Sequence, residues 1–244
     1  MSTVEFKKFP EASYAVNEAF NTLSTNLSFA GQSLKKIMLA SSHASEGKSY
    51  TSMNLMRKLA ERGEKVVLVD TDLRRSVIER TYGVTFEKDS PKYGLSHYLA
   101  GIAQKNDVVY QTNIPGASFV PMGRELLNPI PLLSSGRFQE LLDDLAKEFD
   151  YVIVDAAPVG VVIDAAEIAK YCDGILLVVC YNQVHRQELI DAKNQLEQSG
   201  CPILGTILNQ VDYGNFTSKK YYYKSHYYKG YYKGYYTHED GKKD

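Results

Sequence analysis

No window of the 244-residue chain reaches the roughly 18 apolar residues that a membrane-spanning helix needs. Its first residues, MSTVEFKKFPEAS, hold no apolar signal region. Cysteine is scarce and odd in number: Cys172, Cys180 and Cys201 show no C-x-x-C spacing, and two fall in or beside apolar runs. Such thiols read as buried and free, the usage of a reducing compartment, rather than as a disulfide framework. Net charge is nearly absent, −1 at pH 7, which argues against a chain that binds nucleic acid as a whole. Together these absences lead us to expect a cytoplasmic protein whose membrane role would need a partner.

The length suffices for one sizeable core, and the apolar (44%) and charged (23%) fractions are those of a globular domain. Continuous apolar runs at Lys36–Ser41, Lys65–Asp70, Tyr151–Asp155, Gly174–Cys180 and Ile203–Asn209 read as strands covered on both faces. Between them the spacing predicts helices at 12–30, from Lys48 to Arg62 with Gly63 as its stop, from Ser134 or Ser135 to Phe149, at Asp164–Tyr171 and at Arg186–Ser199. From Arg74 to Pro131 the pattern is weak, with a short helix at Gly94–Leu99, a strand at Ala117–Pro121 and a rigid turn at Asn128–Pro131. Strand–helix alternation of this kind implies an α/β fold with a mostly parallel sheet flanked by helices. We expect one folded domain, 1–211, and a flexible segment, 212–244.

That last segment is the most unusual stretch of the chain. It carries Tyr221, Tyr222, Tyr223, Tyr227, Tyr228, Tyr231, Tyr232, Tyr235 and Tyr236 among lysines and glycines, with no aliphatic residue between them. Nothing there alternates or repeats at helical period, so no core can form. From Lys219 to Asp244 seven lysines face three acids. The segment is a basic leash of phenols, and each phosphate added to it would bring about −1.5 to −2 charges.

Three elements upstream carry phosphate chemistry. The first is Ser41-Ser42-His43-Ala44-Ser45-Glu46-Gly47-Lys48-Ser49, between the first long strand and its helix. A P-loop needs inward backbone N–H groups, a glycine for close approach, a lysine for the β and γ phosphates and a hydroxyl for Mg²⁺. Gly47, Lys48 and Ser49 supply the second half of that pattern, while Ser42 stands where the first glycine belongs. The second element is Leu68-Val69-Asp70-Thr71-Asp72-Leu73-Arg74, which puts carboxylates at the C-terminal end of a parallel strand, where such sheets bind ligands. Asp72 either shares a cation with Asp70 or caps a following helix. The third is Tyr151-Val152-Ile153-Val154-Asp155, an apolar strand ending in the acid that holds Mg²⁺ in P-loop enzymes.

SSHASEGKS, VVLVDTDLR and YVIVDAAP together resemble the bacterial tyrosine kinases (BY-kinases) of capsule and exopolysaccharide synthesis, in particular the stand-alone CpsD/CapB type. Asp70, Asp72 and Arg74 match that family's second Walker motif, hhhDxDxR. Gly160–Ala166, Leu204–Asn209 and the tyrosine cluster extend the match over nearly the whole chain. The resemblance implies a P-loop fold and an autophosphorylating, ATP- and Mg²⁺-dependent protein-tyrosine kinase. It implies Asp70, Asp72 and Lys48 as catalytic residues, with Asp70 the candidate general base. It places Ser45, Glu46, Gly47, Lys48, Ser49, Tyr50 and Asn209 around ATP, Asn209 at the adenine, and Ser49, Asp70 and Asp155 at the metal. The nine tail tyrosines become the phosphorylated residues. The implied partners are a membrane adaptor that activates and recruits the enzyme, a phosphotyrosine phosphatase and further copies of the chain, and not nucleic acid.

Four features depart from the family pattern. Ser45 and Ala44 replace a glycine and a proline in the P-loop, and Ala156 replaces threonine after the third acid. Asn21 and Ser24 stand where two arginines follow a glutamate at the ring interface of relatives, so ring formation is left open. Two other readings share the motifs: a MinD/ParA-like ATPase without kinase activity, and a nucleotide-sensing interaction module. The first does not account for a tyrosine-rich end that lacks the apolar stripe of a membrane-surface helix, while the second would use that end as an arm that stacks on RNA or polysaccharide.

Overall fold

The computed structural model describes residues 2–31, 33–88, 91–160 and 163–211. The chain divides into units 1–209 and 210–244, and all nine tail tyrosines lie outside the described residues. The first unit runs β1 (Thr3–Phe6), α1 (Tyr14–Phe29), β2 (Lys36–Ser41), α2 (Lys48–Glu61), β3 (Val66–Asp70), α3 (Ile78–Tyr82) and β4 (Val84–Phe86). It continues with α4 (Leu95–Leu99), α5 (Lys105–Val108), β5 (Tyr110–Thr112), β6 (Ala117–Val120), α6 (Ile130–Leu133) and α7 (Gly136–Glu148). It closes with β7 (Tyr151–Asp155), α8 (Asp164–Ala169), β8 (Gly174–Cys180), α9 (Arg186–Glu197) and β9 (Ile203–Asn209). No described helix is long and apolar enough to cross a membrane.

The nine strands form one sheet in the order β4-β1-β5-β6-β3-β7-β2-β8-β9. From β6 to β9 every pairing is parallel. This is the mostly parallel α/β sheet that the strand–helix alternation implied. The antiparallel pairings, β1 with β4 and β5 with β6, belong to a smaller flank that sequence periodicity did not reveal.

Side-chain alternation along the central strands explains their continuous apolar runs. Ile37, Leu39, Val66, Leu68 and Ile153 enter one core, against Met53, Met56 and Leu59 of α2 and Leu27 of α1. Met38, Val67, Val69, Val152 and Val154 enter the other, against Leu141, Leu142 and Leu145 of α7 and the inner sides of α8 and α9. Each face needs apolar residues, so neither parity can be polar. In-register pairing of β3 with β7 sets Asp70 beside Asp155 at the same end of the sheet. Thr71 fixes that end, because its N–H and hydroxyl both donate to the Asp155 carbonyl, at 3.0 and 2.9 Å.

Candidate functional site

The loop after β2 folds back into α2 through two left-handed residues, Ser45 (φ 66) and Gly47 (φ 84). Glycine adopts that region freely and serine does so at a cost, which is why the family's glycine at the position of Ser45 makes physical sense. Glu46 holds the loop from inside. Its carboxylate is buried and accepts from the Ser42 hydroxyl at 2.9 Å, the His43 N–H at 2.7 Å and the Cys180 N–H at 3.3 Å. Ser42 thus gives the interior carboxylate a donor at the position where a P-loop ordinarily has glycine. Gly160 closes the loop from the other side. Its N–H donates to the Ser42 carbonyl at 2.9 Å, and an added Cβ would meet that oxygen at 2.6 Å.

Lys48, Ser49 and Asp155 converge at the start of α2. The Lys48 ammonium lies 2.8 Å from Asp155 Oδ1, with both groups almost fully buried. The Ser49 hydroxyl donates to Asp155 Oδ2 at 2.7 Å, and Ser52, one turn on, donates to Oδ1 at 2.7 Å. Asp70 is fully buried beside them and takes the Ser76 hydroxyl on its Oδ2 and the Asp72 N–H on its Oδ1 at 3.3 Å. Burial, reinforced by the neighbouring Asp155 charge, pushes the Asp70 carboxyl well above the usual carboxylate range, while the Ser76 hydroxyl and Lys48 pull against it.

Asp72 is half-buried at the cleft and accepts from the Arg75 N–H at 3.0 Å. It therefore caps a turn rather than a helix, since α3 begins only at Ile78. Arg74 also lines the cleft, but its guanidinium is already engaged. It makes a bidentate bond to the buried Asp164 at the start of α8 (2.6 and 3.1 Å) and donates to the Leu127 carbonyl at 2.6 Å. Asn209 donates from Nδ2 to the Glu46 carbonyl at 2.9 Å, so it ties the end of β9 to the loop. Tyr50 sits edge-on to Phe20 of α1, ring centroids 6.1 Å apart. His43 reaches Glu188 of α9 at 3.3 Å. The contributions of Ser52 and Ser76 had no signal in the sequence, and Asp164 stood only within the family-like segment 160–166 with no sign of its pairing to Arg74, because each contact depends on which strands and loops become neighbours.

Of these groups His43, Lys48, Ser49, Asp72 and Arg74 line a cleft of about 570 Å³, while Asp70, Asp155 and Asn209 lie behind its lining. Ser45, Glu46, Gly47, Lys48, Ser49 and Tyr50 line one end of it. The donor set suits a magnesium–nucleotide: Ser49 and Asp155 offer hard oxygens, Lys48 offers an ammonium, and the 14-residue α2 presents its N-terminus with no acid in its first turn.

A family model described as "AAA domain" matches residues 34–198. The tyrosine-protein kinase CpsD of Streptococcus agalactiae is 40% identical over 207 residues, which cover 82% of this chain and 89% of that protein. The chain belongs to the bacterial tyrosine kinases. The kinase domain of the Escherichia coli tyrosine kinase ETK superposes with a TM-score of 0.73 at 32% identity, covering 79% of this chain and 74% of that one. The cell-division protein MinD of Pyrococcus horikoshii, solved with Mg-ADP, superposes with a TM-score of 0.60 at 24% identity, covering 71% and 69%, and shares the fold. This BY-kinase is thus an ATP-dependent protein-tyrosine kinase on a P-loop ATPase scaffold, with a site fit for nucleotide and Mg²⁺. The ATPase-only and sensor readings are not favoured.

Proposed function

We propose that this kinase transfers the γ-phosphoryl group of ATP to tyrosines 221–236 of other copies of the chain, and that it does so in the control of capsule or exopolysaccharide synthesis. The observation that carries the catalytic reading is the convergence of Lys48, Ser49 and Asp155 with Asp70 in register on the adjacent strand. Lys48 would leave Asp155 for the β and γ phosphates, which offer it a denser negative charge. Mg²⁺, held by Ser49 and Asp155 with Asp70 close by, would neutralise charge on the phosphoryl oxygens. A phenol with a pKa near 10 arrives protonated, and Asp70 would accept its proton as the phosphoryl group moves, with Asp72 assisting at the cleft. Asn209 would meet the adenine from the end of β9.

The tail supplies proximity, since a hydroxyl on a short flexible leash reaches an effective concentration of roughly millimolar. We further propose action at the cytoplasmic face of the membrane, through an adaptor that activates the kinase, with a phosphotyrosine phosphatase as the opposing enzyme. Incubation with labelled ATP and Mg²⁺ tests the core of this reading. Label should enter the intact chain, fall below a tenth in a variant with all nine tail tyrosines changed to phenylalanine, and vanish in Lys48→Met. Undiminished label in the phenylalanine variant would place the acceptor elsewhere.

A further inference from the structure

The cleft does not end at the P-loop. Its other wall is built by the turn after β3 and by α3, and carries Arg75, Val77, Arg80 and Tyr82, with Pro10 opposite. The arginines of this region differ sharply. Arg74 is neutralised by Asp164, whereas Arg75 and Arg80 are exposed, and among the described residues neither guanidinium makes a hydrogen bond or an ion pair. The same wall carries an exposed apolar side chain, Val77, at 38%. Tyr82 lies at the back of this wall, 1% exposed and packed edge-on against Phe6, so that it supports the cleft from the core side.

Two uncompensated guanidinium groups and an exposed apolar side chain on one cleft wall suit a dianionic ring ester. An unmodified lysine-rich tail has no attraction for them, but each phosphate gives it a compact group of about −1.5 to −2 charges that two guanidiniums can hold. We infer that Arg75 and Arg80 form a phosphotyrosine-docking subsite, with Val77 and Pro10 against the ring, which retains an already modified tail while a neighbouring tyrosine enters the phosphate end of the cleft. The sequence is built for such a relay: the pairs Tyr227-Tyr228, Tyr231-Tyr232 and Tyr235-Tyr236 recur every four residues. This rests on the kinase reading, because a tyrosine kinase is what supplies the phosphotyrosine. The first phosphate on a tail then promotes the next, and phosphoforms accumulate as unmodified and heavily modified chains with few singly modified ones.

Binding measured without catalysis tests the subsite. The probe is a fluorescent peptide of residues 227–236, with or without phosphate on Tyr232, titrated with the full chain saturated with a non-hydrolysable ATP analogue and Mg²⁺. The phosphopeptide should bind roughly tenfold more tightly than its unmodified form, as expected for charge-assisted Arg–phosphate bonds. The preference should fall to about twofold in Arg75→Ala/Arg80→Ala, with unchanged circular dichroism and unchanged affinity for the nucleotide analogue. A peptide with phosphoserine at position 232 should bind less tightly than the phosphotyrosine form. Equal affinity of modified and unmodified peptides would overturn the inference. So would a preference that survives the double variant, or a phosphoserine peptide that binds as well. Absence of label transfer by the unaltered chain even with a peptide of the activating adaptor added would instead sink the kinase reading, and would leave the binding result standing.

Discussion

The two walls of the cleft handle charge in opposite ways. On the P-loop side every charged group has an internal partner: Lys48 lies on Asp155, Glu46 takes three donors, and Asp70 takes two. On the α3 side Arg75 and Arg80 are exposed, and their guanidiniums have none among the described residues. Buried charge must be paired in the resting protein, so a ligand there has to displace an existing contact. Exposed charge is already solvated, so a ligand there gains affinity without disturbing the fold. One wall is thus suited to a specific, structurally demanding nucleotide, the other to a changing peptide.

Substitutions can sharpen this contrast. The largest effect is expected from Asp155→Ala, which leaves the Lys48 ammonium buried without its partner and takes the acceptor from Ser49 and Ser52. Urea unfolding should show a loss of about 3–5 kcal/mol. Next comes Arg74→Ala, which strands the Asp164 carboxylate. Because Arg74 is a third exposed, the expected loss is about 2–3 kcal/mol by the same measurement. Glu46→Gln keeps the shape but turns one accepting oxygen into a donor facing the N–H of His43 or Cys180. We expect about 1–2 kcal/mol of lost stability and an ADP affinity weakened roughly tenfold, read by calorimetry. The smallest effect belongs to the other wall. Arg75→Ala/Arg80→Ala should change stability by less than about 0.5 kcal/mol, and a larger loss would show that those side chains are structural after all.

The parallel core was legible in the sequence because burial on both faces forces residues such as Val66–Val69 and Val152–Val154 to be apolar without interruption. The acids at the strand ends were legible for the complementary reason, since an apolar run that stops at aspartate marks the edge of the core. β1, β4 and β5 were not. Three or four residues are too few to show a period, and these strands exist because neighbours complete their hydrogen bonding. α3, α5 and α6 are likewise single turns of four or five residues, stable only through packing. At the site, the P-loop lysine and serine were readable from motif. The partner of Arg74 was not, because Asp164 lies 90 positions away and meets it only through the topology. Glu46 was placed at ATP from its position in the loop. Its inward carboxylate, which explains a serine at position 42, could not be read from spacing.

The bond from Asn209 to the Glu46 carbonyl has a mechanical side. β9 is the outermost strand on its side of the sheet, and the polypeptide leaves it immediately after Asn209. A displacement of that strand end would be felt at the peptide unit preceding Gly47, and also at Tyr181, whose N–H donates to the Asn209 carbonyl at 2.9 Å. A hand on the rope is felt at the lock.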